Sequence, residues 1–424
     1  MQQIRLVNGL TRHGEKKKIV FKDLTNVEYV LICHYGSKNG LQVSYYSPFL
    51  VISRKKMFII KHLETKIIIQ IISSMSNNPV IDLFDDPSKK FVKVCAPMVR
   101  YSKLQFRKLI RMYECDLCFT PMIMADSYVK SAKARAHEFQ TDTDDRPLIV
   151  QFGANNSSDF VNASNLIIPY CDGVDLNCGC PQRWALNDGY GAQLLKNPEI
   201  IKDCVRQLRN HLPANKTISV KLRLLDNHRQ SVDLCQQIEA AGVSFITVHG
   251  RTVLQKNEAI DQECLKLINE SVSVPVILNG DIKSLSNAIT MQEYTGCKGM
   301  MSARGILHNP GLFAGYQNTP LSAVQNWLNI NHTNYLWFHH HLVFMCENLL
   351  TKTARNTFNQ LRKASDVVSF LEDQLHIPNV LPSNRILGKE PGGTSGAYYE
   401  NVGINESVSS QPEDIVDSII NLFD

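Results

Sequence analysis

Between residues 91 and 319 the sequence predicts an α/β fold, a (β/α)₈ TIM barrel, followed by a small all-helical domain. Three observations carry this. Short apolar segments alternate with segments of helical periodicity in eight successive pairs, over roughly the length such a barrel needs. The apolar segments are continuous, as strands buried on both faces require. The polar exceptions fall where those segments end, at Pro97, Gln151, Asn177, Lys221, His249, Asn279 and Arg304, so they meet at the barrel end where loops build a site.

The units follow in order. FVKVCAP is the first strand, and SKLQFRKLIRMY puts Leu104, Phe106, Leu109, Ile110 and Tyr113 on one helical face. DLCFT and the stretch around VKSAKARAHEF make the second unit. PLIVQFGA leads into SSDFVNASNLII, with Ser157 as the expected N-cap. GVDLN precedes a long loop and the helix EIIKDCVRQLRNHL. TISVKLRLL pairs with SVDLCQQIEAAG, SFITVHGRT with ECLKLINES, SVPVILNGDI with SLSNAITMQEYTG, and CKGMMSARGIL with PGLFAGY.

Outside this run the rhythm changes. Residues 1–90 form a basic N-terminal extension with short β-rich fragments such as VEYVLICHY, joined to the barrel by the turn-rich SNNPVIDLFDDPSKK. Residues 320–376 read as a small bundle or arm of two or three helices. Residues 377–424, with PSNRILGKEPGGTSG, read as a flexible tail with a short helix in EDIVDSIINLF.

Charge narrows the partners. The chain carries a net +5, but residues 1–75 hold 12 Lys or Arg against 4 Asp or Glu, so the remainder is acidic on balance. A barrel of that charge binds nucleic acid only through a local cationic patch. The richest apolar stretch, Lys66 to Met75, is too short for a bilayer and contains Gln70, so no membrane partner is expected. The start lacks the order of a secretory signal, and twelve cysteines in 424 residues do not resemble a disulfide scaffold. A cytoplasmic protein is expected, and the bases without acids in the first 14 residues leave a mitochondrial address open.

The densest polar constellation is DLNCGCPQRWALNDGYGAQ, Asp175 to Gln193, where the fourth strand gives way to its loop. Ordering so many glycines is entropically costly for a mere connector. Asn177, Cys180, Arg183 and Trp184 can together handle a planar polar base, and the thiol of Cys180 can supply a proton to a carbon next to one that receives hydride. The competing reading makes Cys178 and Cys180 packing residues. Beside Cys115-x-x-Cys118, the pair Cys178-x-Cys180 falls short of the spacing zinc uses, and no structural metal is expected.

Lys221 and Arg223 share one face of the fifth strand, where Lys221 can stabilise an electron-rich ring such as a flavin N1/O2 edge; an ion pair is the alternative. His249 ends the sixth strand and can bond to flavin or substrate, with Arg251 behind it to meet a base or phosphate. Gly280, Ala303 and Arg304, after strands seven and eight, lie where this fold binds phosphate. There is no Walker A sequence and no well-placed GxGxxG, so a bound mononucleotide suits these positions. His339, His340 and His341 cannot converge from one helix and are expected in packing or at the surface.

Taken in order, VKVCAPMVRYSKLQFRKLIR, DLCFTPMI, RPLIVQFGAN, DGVDLNCGCPQRWALNDGYGAQL, VDLCQQIEAAGVSFITVHGRT, PVILNGDI and ARGILHNPGLFAGY resemble the tRNA-dihydrouridine synthases, above all the branch acting at positions 20a and 20b, over about residues 91–376. The resemblance implies an FMN-binding barrel with a tRNA-binding helical domain. Pro97, Met98 and Val99 correspond to its first FMN-contacting segment, and Gln151 and Lys221 to flavin-ring contacts. His249 corresponds to an isoalloxazine-site residue. Asn279, Gly280 and Asp281, with Ala303 and Arg304, correspond to the ribityl and phosphate region. Cys180 occupies the catalytic acid position. The implied reaction runs from NADPH or NADH to FMN, then as hydride to uracil C6, with Cys180 protonating C5 of a base taken out of its stack. Asn177, Arg183 and Arg251 are the expected substrate contacts, tRNA the partner, and a monomer the expected state. RTVLQKNEAIDQE departs from the family pattern, with Lys256 where an Arg is usual. The alternatives are an FMN-dependent barrel oxidoreductase of a free metabolite and a non-catalytic RNA-binding scaffold.

Overall fold

The computed structural model describes residues 78–213 and 215–377, together with the backbone of six short strands among the first 71 residues. Met1–Met75 forms one compact unit and Ser76–Asp424 another. In the first unit, Arg5–Asn8, Lys16–Lys22, Glu28–Tyr35 and Leu41–Val43 make an antiparallel sheet in chain order, and Phe58–Lys61 pairs with Ile68–Ile71.

The second unit contains the barrel. Its strands are β1 (Val92–Cys95), β2 (Leu117–Phe119), β3 (Leu148–Gly153), β4 (Gly173–Cys178), β5 (Thr217–Arg223), β6 (Phe245–His249), β7 (Val276–Asn279) and β8 (Gly299–Ser302). Each pairs in parallel with the next, and β8 pairs with β1 to close the sheet. Closure leaves no edge and buries both strand faces, which is why the segments read as continuous apolar runs. The register sets Asn177 beside Lys221, Arg223 beside His249, and His249 beside Asn279. Side chains from the C-terminal strand ends therefore form one ring.

The opposite end is sealed by a helix, Pro79–Asp85. Asn78 caps it by accepting from the Val80 and Ile81 amides, and donates its own Nδ2 to Asp172 O at 3.0 Å and to Asn215 O. Val80 is fully buried against the barrel.

The helix Leu104–Arg111 buries Phe106, Leu109 and Ile110, as its periodicity predicts, but also Arg107. That guanidinium meets Asp145 at 2.6 Å with both side chains essentially out of solvent, and Arg111 reaches the same carboxylate at 3.4 Å. The cap of Ser157–Ile167 is not Ser157. The side chain of Asn156 accepts from Asp159 N at 2.9 Å, and Ser157 becomes the first helical residue. Asn and Ser cap about equally well, so the propensity of adjacent polar residues does not decide between them.

Among the described residues after Pro320 there are four helices rather than two or three: Leu321–Asn329, Tyr335–Met345, Lys352–Asn359 and Ala364–Leu375. Caps break what reads as a longer run, with Asn334 accepting from Trp337 N and Thr351 from Ala354 N. Trp327, 1% exposed, packs on Phe106 of the barrel, and His341 Nε2 lies 3.1 Å from Tyr101 O. His339 and His341 are buried in packing. No described helix is long and apolar enough to cross a membrane. The tail from Pro378, with its expected terminal helix, lies outside the described residues.

Candidate active site

The ring of strand ends opens into one cleft. Pro97, Met98 and Val99 line it after β1, and Gln151, Asn177 and Lys221 line it from β3, β4 and β5. His249 and Arg251 come from the end of β6, Asn279, Gly280 and Asp281 from the end of β7, and Ala303 and Arg304 from the end of β8. Cys180 enters from the loop after β4. Of the positions singled out in the sequence, Arg183 alone is not in the lining; it stands exposed at the start of the short helix Arg183–Asn187.

The floor is a connected set of hydrogen bonds. Asp175, fully buried, accepts from Ser219 Oγ at 2.6 Å and from Gln151 Nε2 at 2.8 Å. Gln151 Oε1 accepts from Asn177 Nδ2 at 2.9 Å. Asn177 Oδ1 accepts from the amides of Gly179 and Cys180, at 3.1 and 3.0 Å. Gly191, at φ +62, approaches Cys180 so closely that a Cβ there would stand 2.7 Å from Cys180 O, so any larger residue would displace the loop.

The cations are organised differently. Arg223 donates to Gly179 O at 3.0 Å and to Thr252 O at 3.0 Å, tying the loop after β4 to the loop after β6. Arg251 is 3% exposed and holds both oxygens of Asp281, at 2.8 and 2.7 Å. Its guanidinium thus fixes the loop after β7 from within. Lys221, Arg223, Arg251, Lys283 and Arg304 line the cleft with Asp281 as the one acid among the described residues, which supplies the focused positive patch that an acidic barrel needs to attract an anion.

Burial shapes the protonation states. It pushes the Cys180 thiol up, against smaller opposing effects of the Gln182 amide, Arg223 and Lys221, so the group is an acid rather than a thiolate at neutral pH. Burial, reinforced by Arg223, lowers Lys221 to about 8, with Asp175 acting the other way. Burial and four surrounding cations hold His249 neutral, well below the usual imidazole range. Burial raises Asp175 to about 6 despite the Ser219 and Gln151 hydrogen bonds.

Two buried polar atoms have no partner among the described residues, Thr247 Oγ1 and His249 Nδ1. Orphans of this kind are costly, and both lie on β6, which ends at the cleft. Gly280, at φ +121, faces His249 Nε2 at 3.7 Å from where its Cβ would stand, and that Cβ would strike Ile260 at 2.6 Å. The site thus offers a neutral ring donor or acceptor, a cation on the floor, a backbone cradle and a thiol. That donor set fits a flat polar heterocycle with a phosphate tail, such as FMN.

Asp175, Thr247 and the tethering role of Arg223 were not singled out in the sequence. Asp175 could have been found from its i, i+2 spacing to Asn177, which places both on one face of an otherwise apolar strand.

The family model described as dihydrouridine synthase (Dus) matches residues 94–370. A mouse (Mus musculus) protein named tRNA-dihydrouridine(20a/20b) synthase [NAD(P)+]-like is 48% identical over 290 residues, covering 68% of this chain and 90% of its own. Its human (Homo sapiens) namesake is 48% identical over 294 residues, covering 68% and 93%. The tRNA-dihydrouridine(20a/20b) synthase [NAD(P)+] of Schizosaccharomyces pombe is 38% identical over 304 residues, covering 69% and 93%.

Proposed function

The chain belongs to the dihydrouridine synthase family, and we propose that its barrel-mouth cleft is where a tRNA uridine is reduced to dihydrouridine. The protein is an NAD(P)H-dependent tRNA-dihydrouridine synthase acting at positions 20a and 20b. The observation that carries the site assignment is the convergence of Cys180, Lys221 and His249 on one cleft.

FMN, when bound, supplies the hydride chemistry between the nicotinamide and uracil C6. Lys221 and His249 would hold the ring and Gln151 its edge, while Gly280 and Arg304 would hold the phosphate end. Cys180 keeps its proton because burial disfavours the thiolate, and it delivers that proton to C5 as the neighbouring carbon receives hydride. Asn177 holds the loop that carries the thiol. Arg251, locked to Asp281, shapes the pocket rather than reaching outward. Exposed Arg183 and the helices from Leu321 to Leu375 face the tRNA, with residues 320–376 as the tRNA-binding domain. All of these groups lie in one chain, so a monomer suffices.

Site-resolved dihydrouridine formation on unmodified tRNA, with FMN and each nicotinamide in turn, tests this. Product at 20a or 20b is expected. Flavin turnover without change in any tRNA uridine would move the reading to a free-metabolite reductase.

A further inference from the structure

Beneath the cleft runs a hydrogen-bond chain whose direction is fixed at both ends. The amides of Gly179 and Cys180 can only donate, so Asn177 must turn its Oδ1 toward them. Its Nδ2 is then left facing Gln151, which must present Oε1 and turn its own Nε2 downward. The chain therefore has to end on an acceptor, and it ends on Asp175 Oδ2 at 2.8 Å. The other oxygen of Asp175 takes the Ser219 hydroxyl.

The side-chain amides of Asn177 and Gln151 are each reversible alone, and reversal is forbidden by the backbone amides at one end and the Asp175 carboxylate at the other. Burying a carboxyl at this depth is costly. A floor built only to fill space would be apolar, as the neighbouring Val174 and Leu176 are.

We propose that Asp175 is a positioning residue for uridine reduction: through Gln151 and Asn177 it sets the direction of the hydrogen-bond chain that seats Cys180. It touches neither uridine nor flavin. Without an acceptor at 175, Gln151 can turn over and present Nε2 to Asn177. Asn177 then turns in response, and the Cys180 amide loses its partner. The inference rests on the reading of Cys180 as proton donor.

The test uses the flavin-bound protein and three readouts: flavin reduction by NADPH, flavin reoxidation by tRNA, and iodoacetamide modification of Cys180 followed by peptide mass. In Asp175→Ala, reoxidation by tRNA is expected to slow about tenfold or more beyond any change in reduction by NADPH that the turned Gln151 causes at the flavin edge, the cost of one unmade buried hydrogen bond. Cys180 modification shifts with it. Asp175→Asn rescues, because its Oδ1 can accept from Gln151 while its Nδ2 faces the Ser219 oxygen. Added to Asn177→Ala, Asp175→Ala causes no further loss, since both act through one chain.

Equal slowing of both half-reactions with unchanged modification of Cys180 would overturn the proposal, as would additive losses or failure of the Asn rescue. If Asp175→Ala does not fold, Asp175→Asn with Ser219→Ala carries the test. Ser219 then no longer orients the new amide, so Cys180 modification must shift; no shift overturns the role. Full uridine reduction by Cys180→Ala would separately overturn the acid assignment, and with it this role for Asp175, whatever the modification data show.

Discussion

The barrel mouth and the helical region both bury histidines, and they treat them in opposite ways. In the helical region the ring nitrogens meet backbone carbonyls: His339 Nε2 lies 3.0 Å from Phe358 O, His332 Nε2 2.7 Å from Trp327 O, and His341 between the carbonyls of Trp337 and Tyr101. At the mouth, His249 keeps a buried Nδ1 with no partner among the described residues, and burial, reinforced by the surrounding cations, holds the ring neutral. A satisfied histidine is structural material, whereas an orphaned buried nitrogen on a cleft-lining residue is a cost that packing alone does not explain. The difference is invisible in composition, where the run His339-His340-His341 is the more conspicuous signal.

Cys180→Ala cuts deepest into this comparison, because it removes the chemistry and leaves the architecture of the mouth in place. Loss of a positioned acid costs about 10²- to 10⁴-fold. Dihydrouridine formation should fall by that order while NADPH still reduces the bound flavin. Parallel loss of both activities would mean the loop is needed to build the site rather than to act in it.

Lys221 comes next. Its ammonium is lowered to about 8 by burial and Arg223, so the cation is present below that pH and fades above it. Flavin reduction should show an alkaline limb near pH 8, and Lys221→Met should lower the plateau by about 10²-fold, as removal of a charge-stabilising donor does. Lys221→Arg stays charged across the range and should lose the limb. A limb that persists in Lys221→Arg would assign it to another group, with Cys180 the next to test.

Replacing the two kinds of histidine sharpens the contrast directly. His249→Leu should weaken FMN binding by about tenfold, the order of one lost buried hydrogen bond. His340→Gln should leave it unchanged. Fluorescence titration with FMN measures both, and equal losses would place the ligand contact somewhere other than β6.

The barrel was legible in the sequence because its strands are buried on both faces, which writes each one as an uninterrupted apolar run bounded by glycine and polar residues. The ring of site residues was legible for the same reason, since Gln151, Asn177, Lys221, His249 and Asn279 interrupt or end such runs. What periodicity could not reveal were polar residues placed by tertiary partners. Arg107 sits on the apolar face of its helix because Asp145, far along the chain, waits beneath it. Arg251 reads as an outward substrate contact until Asp281 is seen to hold it. Asp175 sits in an apolar strand with its partners on two neighbouring strands. The expectation of two or three helices after Pro320 failed where caps, not apolar spacing, set the ends.

Acid should separate the two regions most gently and most generally. His339 and His341, 3% and 2% exposed, are lowered by burial from 6.5 to about 4. Between those values the unfolded chain binds more protons than the folded one, so this stability is complete above pH 6.5 and is lost as pH falls toward 4. Each ring forfeits about 2 kcal/mol by pH 5, at 1.36 kcal/mol per pH unit. Asp175 runs the other way. Its folded value near 6 lies above its unfolded 3.8, so lowering the pH through that window relieves a buried charge beneath the mouth. At pH 5 the helical region should therefore loosen while the flavin site holds. Trp327 reports on the first through its contacts with His332 and His341, and bound-flavin absorbance reports on the second. A Trp184→Phe background removes the tryptophan nearest the cleft. His341→Phe keeps the ring packing without the titration and should move the fluorescence midpoint to lower pH; an unchanged midpoint would show that the buried imidazole is not what acid attacks.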